Sequence, residues 1–435
     1  MQIFRPVPAK VRPTYIRLLN LSLLRAPGLT LLGDLAALIA VKSLGAPPWE
    51  VALIAAAPFV GNLLAVFWSR RIALSSEKIA YAFWPEAVTS GLLVLMMFAR
   101  NSHTFTIGLC VFLVIRAPLY VAHSAIWRAN YPAQWRSWLV ARVMAFSELL
   151  MAAAGLVFGF LLNQNPNNYR GLMALAGFCG LLGALQVRRV RMRGERRAGR
   201  AKMKPHDFTL RKIMGVLKTD DRFRRYEFSF SLFGFANIMA TPIIPFFLER
   251  NLSISYNDAG LILVTMPMLI DVMMLPLWGR TLDKHNPLLM RAIFNTVFSL
   301  GMLCYPFATS LWMFAAGRAL IALVQGGASL VWYLGINYFA RREEVPVYMG
   351  LHQTLTGVRG LIAPFVGIGL GYFVGYRWTF VAAFLLMVFG TVVMVNEVLR
   401  ERKRAGGRLP SFAQAEIEID GAMSPEDERV LSRSS

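Results

Sequence analysis

The residues that could do chemistry in this chain are ionisable side chains placed inside long apolar runs: Arg25, Asp34, Glu86, Arg116, His123, Glu148, Asp271, Arg318, His352 and Arg359. A charge buried in hydrocarbon costs at least about 2.5 kcal/mol on insertion scales, so each must face a partner or a cavity. A carboxylate in such a place can alternate between an arginine and a proton, because desolvation favours its neutral form and a guanidinium its charged form. Asp34 and Glu148, the latter set in VMAFSELLMAAAG, have this character, and Asp271 in MLIDVMMLP is a third. The arginines Arg25, Arg116, Arg318 and Arg359 could present positive charge to an anionic or zwitterionic solute. Phe230, Phe235, Trp332 and Tyr333 could instead stack against an amphipathic compound. Structural readings stand beside these. Asp271 could pair with Arg280 or Lys284, Glu86 could belong to a structural ion pair, the arginines could snorkel to a helix end, and the two histidines could serve packing or hydrogen bonding.

The elements that must hold these residues are membrane helices. The 435 residues are 56% hydrophobic and 16% charged, with mean hydropathy +0.50, against roughly 25% charged residues in soluble domains. About 20 apolar residues cross a hydrocarbon core. Windows of that kind lie at 18–41, 50–69, 79–99, 104–127, 143–163 and 170–187, and again at 226–249, 258–279, 287–308, 310–335, 347–373 and 378–398. The expected fold is therefore all-α: a polytopic membrane protein of twelve transmembrane helices in two six-helix halves. Residues 1–187 form the first bundle with its lead-in, 188–225 a basic linker, 226–398 the second bundle and 399–435 a tail.

The net charge of +22 is distributed as a topology signal rather than as a nucleic-acid footprint. With the N-terminus cytoplasmic, the inner gaps and the near part of the tail carry 35 Lys or Arg, and the outer gaps carry five: Lys42, Arg100, Arg170, Arg250 and Arg377. This predicts a multi-pass protein of a cytoplasmic (inner) membrane with both termini cytoplasmic. The linker sequence RRVRMRGERRAGRAKMKPHDF reads as a solvated connector that enforces topology and can lie along anionic lipid. The tail SFAQAEIEIDGAMSPEDERVLSRSS is acidic-rich and poor in aromatics. Cys110, Cys179 and Cys304 fall inside spans without metal or redox spacing. The N-terminus reads as a lead-in to a retained helix, with no cleavage site.

The halves echo one another. FLVIR at Phe112–Arg116 matches FAAGR at Phe314–Arg318, and APFVGN at Ala57–Asn62 matches MPMLID at Met266–Asp271, as a duplicated transporter unit would show. On these features the sequence resembles the major facilitator superfamily. GRTLDK at Gly279–Lys284 is similar to the family's loop motif G-x-x-x-D-(R/K), and GYRWTF at Gly375–Phe380 to its glycine–aromatic–arginine–tryptophan turn. The corresponding N-terminal stretch, WSRRIALSSEK at Trp68–Lys78, lacks the glycine and the aspartate, and the fifth-span Gly-Pro antiporter signature is absent. Gly155 and Gly159 form a lone small-x-x-x-small pair there, while the eleventh span carries a denser stripe through Gly360, Pro364, Gly367, Gly369, Gly371 and Gly375.

The resemblance implies a central cavity lined by spans one, four, seven and ten, which selects Asp34, Arg116 and Arg318. With Glu148 they are the candidates for substrate binding and proton coupling. It also makes Arg70, Arg71, Asp271, Arg280, Asp283 and Lys284 gating candidates. The implied function is secondary transport of a small organic solute, with export against protons as the first form and uptake as the second. A non-transporting membrane sensor or assembly protein is the competing class. Lipids, the solute and protons as coupling ion are the expected partners of a monomer or loose oligomer, with no nucleic acid. No P-loop, H-E-x-x-H or nucleophile motif occurs, so neither an enzyme nor a cofactor is expected.

Overall fold

The computed structural model describes residues 7–75, 77–192, 210–340 and 344–411. Among them the chain is entirely helical: α1 (Arg12–Leu32), α2 (Asp34–Lys42), α3 (Pro48–Leu74), α4 (Ala80–Leu95), α5 (Ser102–Ile115), α6 (Ala117–Asn130), α7 (Ala133–Gln164), α8 (Tyr169–Arg188), α9 (Leu210–Thr219), α10 (Asp221–Ala240), α11 (Ile243–Leu252), α12 (Tyr256–Ala259), α13 (Met266–Lys284), α14 (Pro287–Phe307), α15 (Leu311–Leu334), α16 (Val345–Phe373) and α17 (Tyr376–Arg404). Among the described residues nine helices are long and apolar enough to cross a membrane, or eleven if two bent pairs each count as one span. A shorter apolar helix covers Pro48–Leu64, overlapping the second expected window. The all-helical membrane class is as the sequence predicts, while the count by length and composition falls below twelve.

The shortfall has local causes. The first span breaks at Gly33, whose φ −84 and ψ −137 leave the helical region. The chain resumes as α2 at 40° to α1. Asp34 and Lys42 then sit in the first and last turns of α2, the ends at which a helix dipole favours each charge. The seventh span breaks at Thr241 and Pro242, between α10 and α11. The interruption between α5 and α6, just before Pro118, costs no span, since Ser102–Asn130 counts as one. Arg116 is the junction residue.

The contacts divide the chain into two units. Unit 1 comprises residues 1–204, 242–269 and 360–368; unit 2 comprises 205–241, 270–359 and 369–435. In unit 1, α7 packs on the π-helical turn Gly260–Thr265 that continues α12. The approach is backbone to backbone. A Cβ on Gly159 would lie 2.6 Å from Tyr256 O, and one on Gly260 would overlap the Gly155 carbonyl. Thr265 Oγ1 donates to Ala152 O at 2.7 Å. The lone glycine pair of the sequence is thus the close-packing seam of this helix. In the denser stripe of α16, a Cβ on Gly360 would strike the Phe59 ring, whereas one on Gly369 meets nothing within 4 Å.

In unit 2, Gly301 and Gly317 seat α14 against α15, each Cβ position lying 2.6 Å from the other's carbonyl. Phe223, Tyr226, Phe230, Leu288, Ile336, Leu351 and Met394 fill the interior between the helices. At one end, Arg225 makes a forked pair with Glu397 at 2.7 and 3.2 Å, and Arg222 Nη2 meets Glu401 at 2.5 Å. These arginines were counted with the topology charges, yet they also staple α10 to α17. At the other end Gly375, with φ +88, makes the turn into α17. Two residues later Arg377 donates to Pro306 O at 2.6 Å and Ala308 O at 2.9 Å. Trp378 beside it is 66% exposed, as an interfacial anchor must be.

Candidate functional site

In unit 1 the break between α5 and α6 holds Arg116 in place, since its peptide belongs to both helices and its side chain can leave the apolar helix surface. Its Nη1 lies 3.8 Å from Glu86 Oε1 of α4, and its guanidinium carbon is 5.2 Å from the centre of the Phe112 ring. Glu86 is 1% exposed, and its Oε2 has no hydrogen-bond partner among the described residues. The structural-pair reading of Glu86 therefore acquires a partner, one of the arginines assigned to substrate. His123 is buried nearby, stacked on Trp127 at 6.2 Å between ring centres and within electrostatic reach of Arg25 and Arg116.

Asp34 opens α2 directly after the Gly33 break and is half-buried. Glu148 is half-buried midway along α7, next to Ser147, whose hydroxyl donates to Ser22 O at 3.3 Å. A third carboxylate of this unit, Glu50, is fully buried in the first turn of α3. It pairs with His103 Nδ1 and accepts from Thr106 Oγ1 at 3.0 Å. Sequence reasoning passed over Glu50 because it stands at the margin of an apolar window, where a solvated charge is ordinary.

Unit 2 contains a deeply buried polar cluster. Glu227 of α10, Arg291 of α14, and His352 and Arg359 of α16 are 2, 6, 0 and 7% exposed. His352 Nδ1 lies 2.5 Å from Glu227 Oε1. Arg359 donates to Phe230 O and Thr356 Oγ1, both at 3.0 Å. The guanidinium carbons of Arg291 and Arg359 stand 4.2 and 4.8 Å from the centre of the Phe230 ring. Phe230 and Trp332 flank His352 at 4.6 and 5.1 Å. The Arg359 guanidinium also packs on Gly234, where a Cβ would lie 2.6 Å from its carbon and displace it. The sequence singled out His352 and Arg359 but not Glu227 or Arg291. A signal existed: His352, Thr356 and Arg359 follow i, i+4, i+7 spacing, a polar stripe on an apolar helix that demands polar partners on its neighbours.

The remaining candidates are dispersed. Arg318 is half-buried on α15. Arg71 is exposed in the last turn of α3, 5.9 Å over the Phe67 ring. Arg280 and Lys284 are exposed on α13, so the GRTLDK stretch forms that helix's last turns rather than a loop. The Asp271 carboxylate packs against Gly326 of α15. The side chains of Arg70 and Asp283, residues 193–209 of the basic linker and the tail from residue 412 lie outside the described residues. Among the described residues no cluster of His, Cys, Asp or Glu could hold a metal ion.

This architecture, broken helices carrying buried charge, can be set against known proteins. Residues 226–419 match the family model described as Major Facilitator Superfamily, and solved transporters superimpose over nearly the whole chain. The second half of the chain thus matches the Major Facilitator Superfamily, and the chain as a whole shares the fold of solved transporters. It is similar in fold to the nucleoside transporter NupG, at 10% identity and TM-score 0.68 over 88% of this chain and 99% of that one. It is also similar to a bacterial homologue of the human lysosomal transporter Spinster in an inward-facing and occupied conformation, at 13% identity and TM-score 0.65 over 93% and 100%. A POT family transporter in complex with a thioalcohol-conjugated peptide aligns at 10% identity and TM-score 0.69 over 90% and 96%. No curated protein matches the chain by sequence. Each of these three solved structures is of a transporter.

Proposed function

We propose that the chain moves a small organic solute by alternating access, in its first form exporting it in exchange for protons, from a site built around Asp34, Arg116, Glu148 and Arg318. The observation that carries this reading is that Asp34, chosen from the sequence, stands at the break of the first span, and that Arg116, also chosen from it, stands at a one-residue interruption of the helical stretch Ser102–Asn130. Discontinuous helices supply polar backbone and oriented side chains at membrane depth, where transporters hold solutes and coupling ions. The partially buried carboxylates Asp34 and Glu148 are the proton carriers in this scheme, and Arg116 and Arg318 receive the solute. Residues 15–187 and 226–398 rock about the site, with Arg70, Arg71, Asp271, Arg280, Asp283 and Lys284 as gate residues. The protein works as a monomer or loose oligomer in a cytoplasmic membrane with both termini cytoplasmic.

Counterflow in proteoliposomes under an imposed pH gradient tests the scheme. Wild-type flux is expected to follow the gradient, and Asp34→Asn or Glu148→Gln to reduce that dependence by roughly tenfold. Unchanged dependence in both variants would remove them as carriers. Gradient-driven accumulation in place of extrusion would assign uptake. Silence across a broad solute panel would return the chain to the sensor or assembly class.

A further inference from the structure

We propose that Arg291 and Arg359 form an oxyanion site inside unit 2. Its ligand is a carboxylate or phosphate, supplied either by the head group of the transported solute or by a free small anion. The first source rests on the transport reading above; the second does not.

Charge accounting carries the proposal. Two guanidinium groups and one carboxylate are buried together, and the carboxylate is engaged by a third party, since Glu227 Oε1 lies 2.5 Å from His352 Nδ1. With a neutral imidazole donating that hydrogen bond, the cluster retains one uncompensated positive charge. Among the described residues no carboxylate lies within ion-pair distance of Arg291 or Arg359. The partners of Arg359 are the Phe230 carbonyl and the Thr356 hydroxyl, and that of Arg291 is Ala328 O at 3.5 Å. Carbonyls and the Phe230 ring moderate a positive charge but do not cancel it. Donor capacity is also unspent, because Arg291 Nε and Arg359 Nε are buried without hydrogen-bond partners. Arg222 and Arg225 of the same unit, by contrast, each meet a carboxylate. Planar guanidinium groups match carboxylate and phosphate oxygens better than halide.

Thermal melting of the full-length, detergent-purified protein in sodium phosphate, sodium acetate and sodium chloride, at matched ionic strength and pH, tests this. Phosphate or acetate is expected to raise the midpoint saturably relative to chloride. Half-saturation should weaken at least tenfold in Arg291→Gln and Arg359→Gln. Glu227→Gln is expected to lower the starting midpoint yet strengthen anion half-saturation at least threefold, because it removes the internal negative charge. If neither arginine variant folds, Glu227→Gln alone decides, and unchanged or weaker half-saturation in it overturns the site. Equal shifts in all three salts would be screening alone and would also overturn it. Competition of the protecting anion with solute counterflow identifies the head-group source, and protection without competition identifies a free anion. Protection in a protein without any flux keeps the site while ending the transport reading.

Discussion

Glu397→Ala is expected to cost about 3 kcal/mol of stability, the scale for breaking a buried ion pair by removing one partner. Glu397 is 2% exposed and receives both arms of Arg225, whose side chain is 25% exposed. Its loss leaves that guanidinium without its partner at the α10–α17 seam. Arg400 and Arg404 also approach Glu397, at 3.5 and 3.8 Å, but are 58% and 46% exposed, so water replaces most of what they lose. Arg400→Ala is therefore the control. The thermal midpoint in detergent should fall several degrees for Glu397→Ala and scarcely move for Arg400→Ala. Equal shifts in the two would show that the forked pair contributes nothing.

Gly260→Val is expected to destabilise unit 1 by about 3 kcal/mol, at the upper end of overpacking costs. The atoms in the way are backbone, the Gly155 carbonyl and the Gly159 Cα at 3.1 Å, and neither can rotate aside as a side chain would. Gly369→Val supplies the comparison, because its Cβ meets nothing within 4 Å and should change the midpoint little. Matching melting curves for the two valine variants would mean that the α7 seam yields at negligible cost.

These two sites also show what was legible before the structure. The helical membrane class follows from run length alone, because hydrocarbon leaves unsatisfied backbone no alternative. The Gly155 and Gly159 pair was visible as a packing signal, but its partner, a π-turn at Gly260–Thr265, has no sequence signature. Charges deep within a window, such as Arg116, Glu148 and Arg359, were found because hydrophobic neighbours make them conspicuous. Glu227 and Arg291 escaped for the opposite reason. Each lies close to a window's edge among residues that count as topology signals, and edge position says nothing about whether neighbouring helices cover the side chain. Pairings were harder still. Glu86 and Arg116 are 30 positions apart, and only the packing of α4 against the α5–α6 break unites them. The basic partners considered for Asp271 stand about two and a half and three and a half turns along its own helix, whereas its carboxylate packs on Gly326 of another.

Arg377 acts as a depth gauge for the last helix. Its two bonds reach carbonyls where α14 ends, at Pro306 and Ala308. Sliding α17 by one turn along its axis, about 5.4 Å, would break both bonds at once and draw Trp378 from its level. The position of the final helix along the membrane normal is thereby indexed to the hairpin of α14 and α15, independently of the thickness of the surrounding lipid.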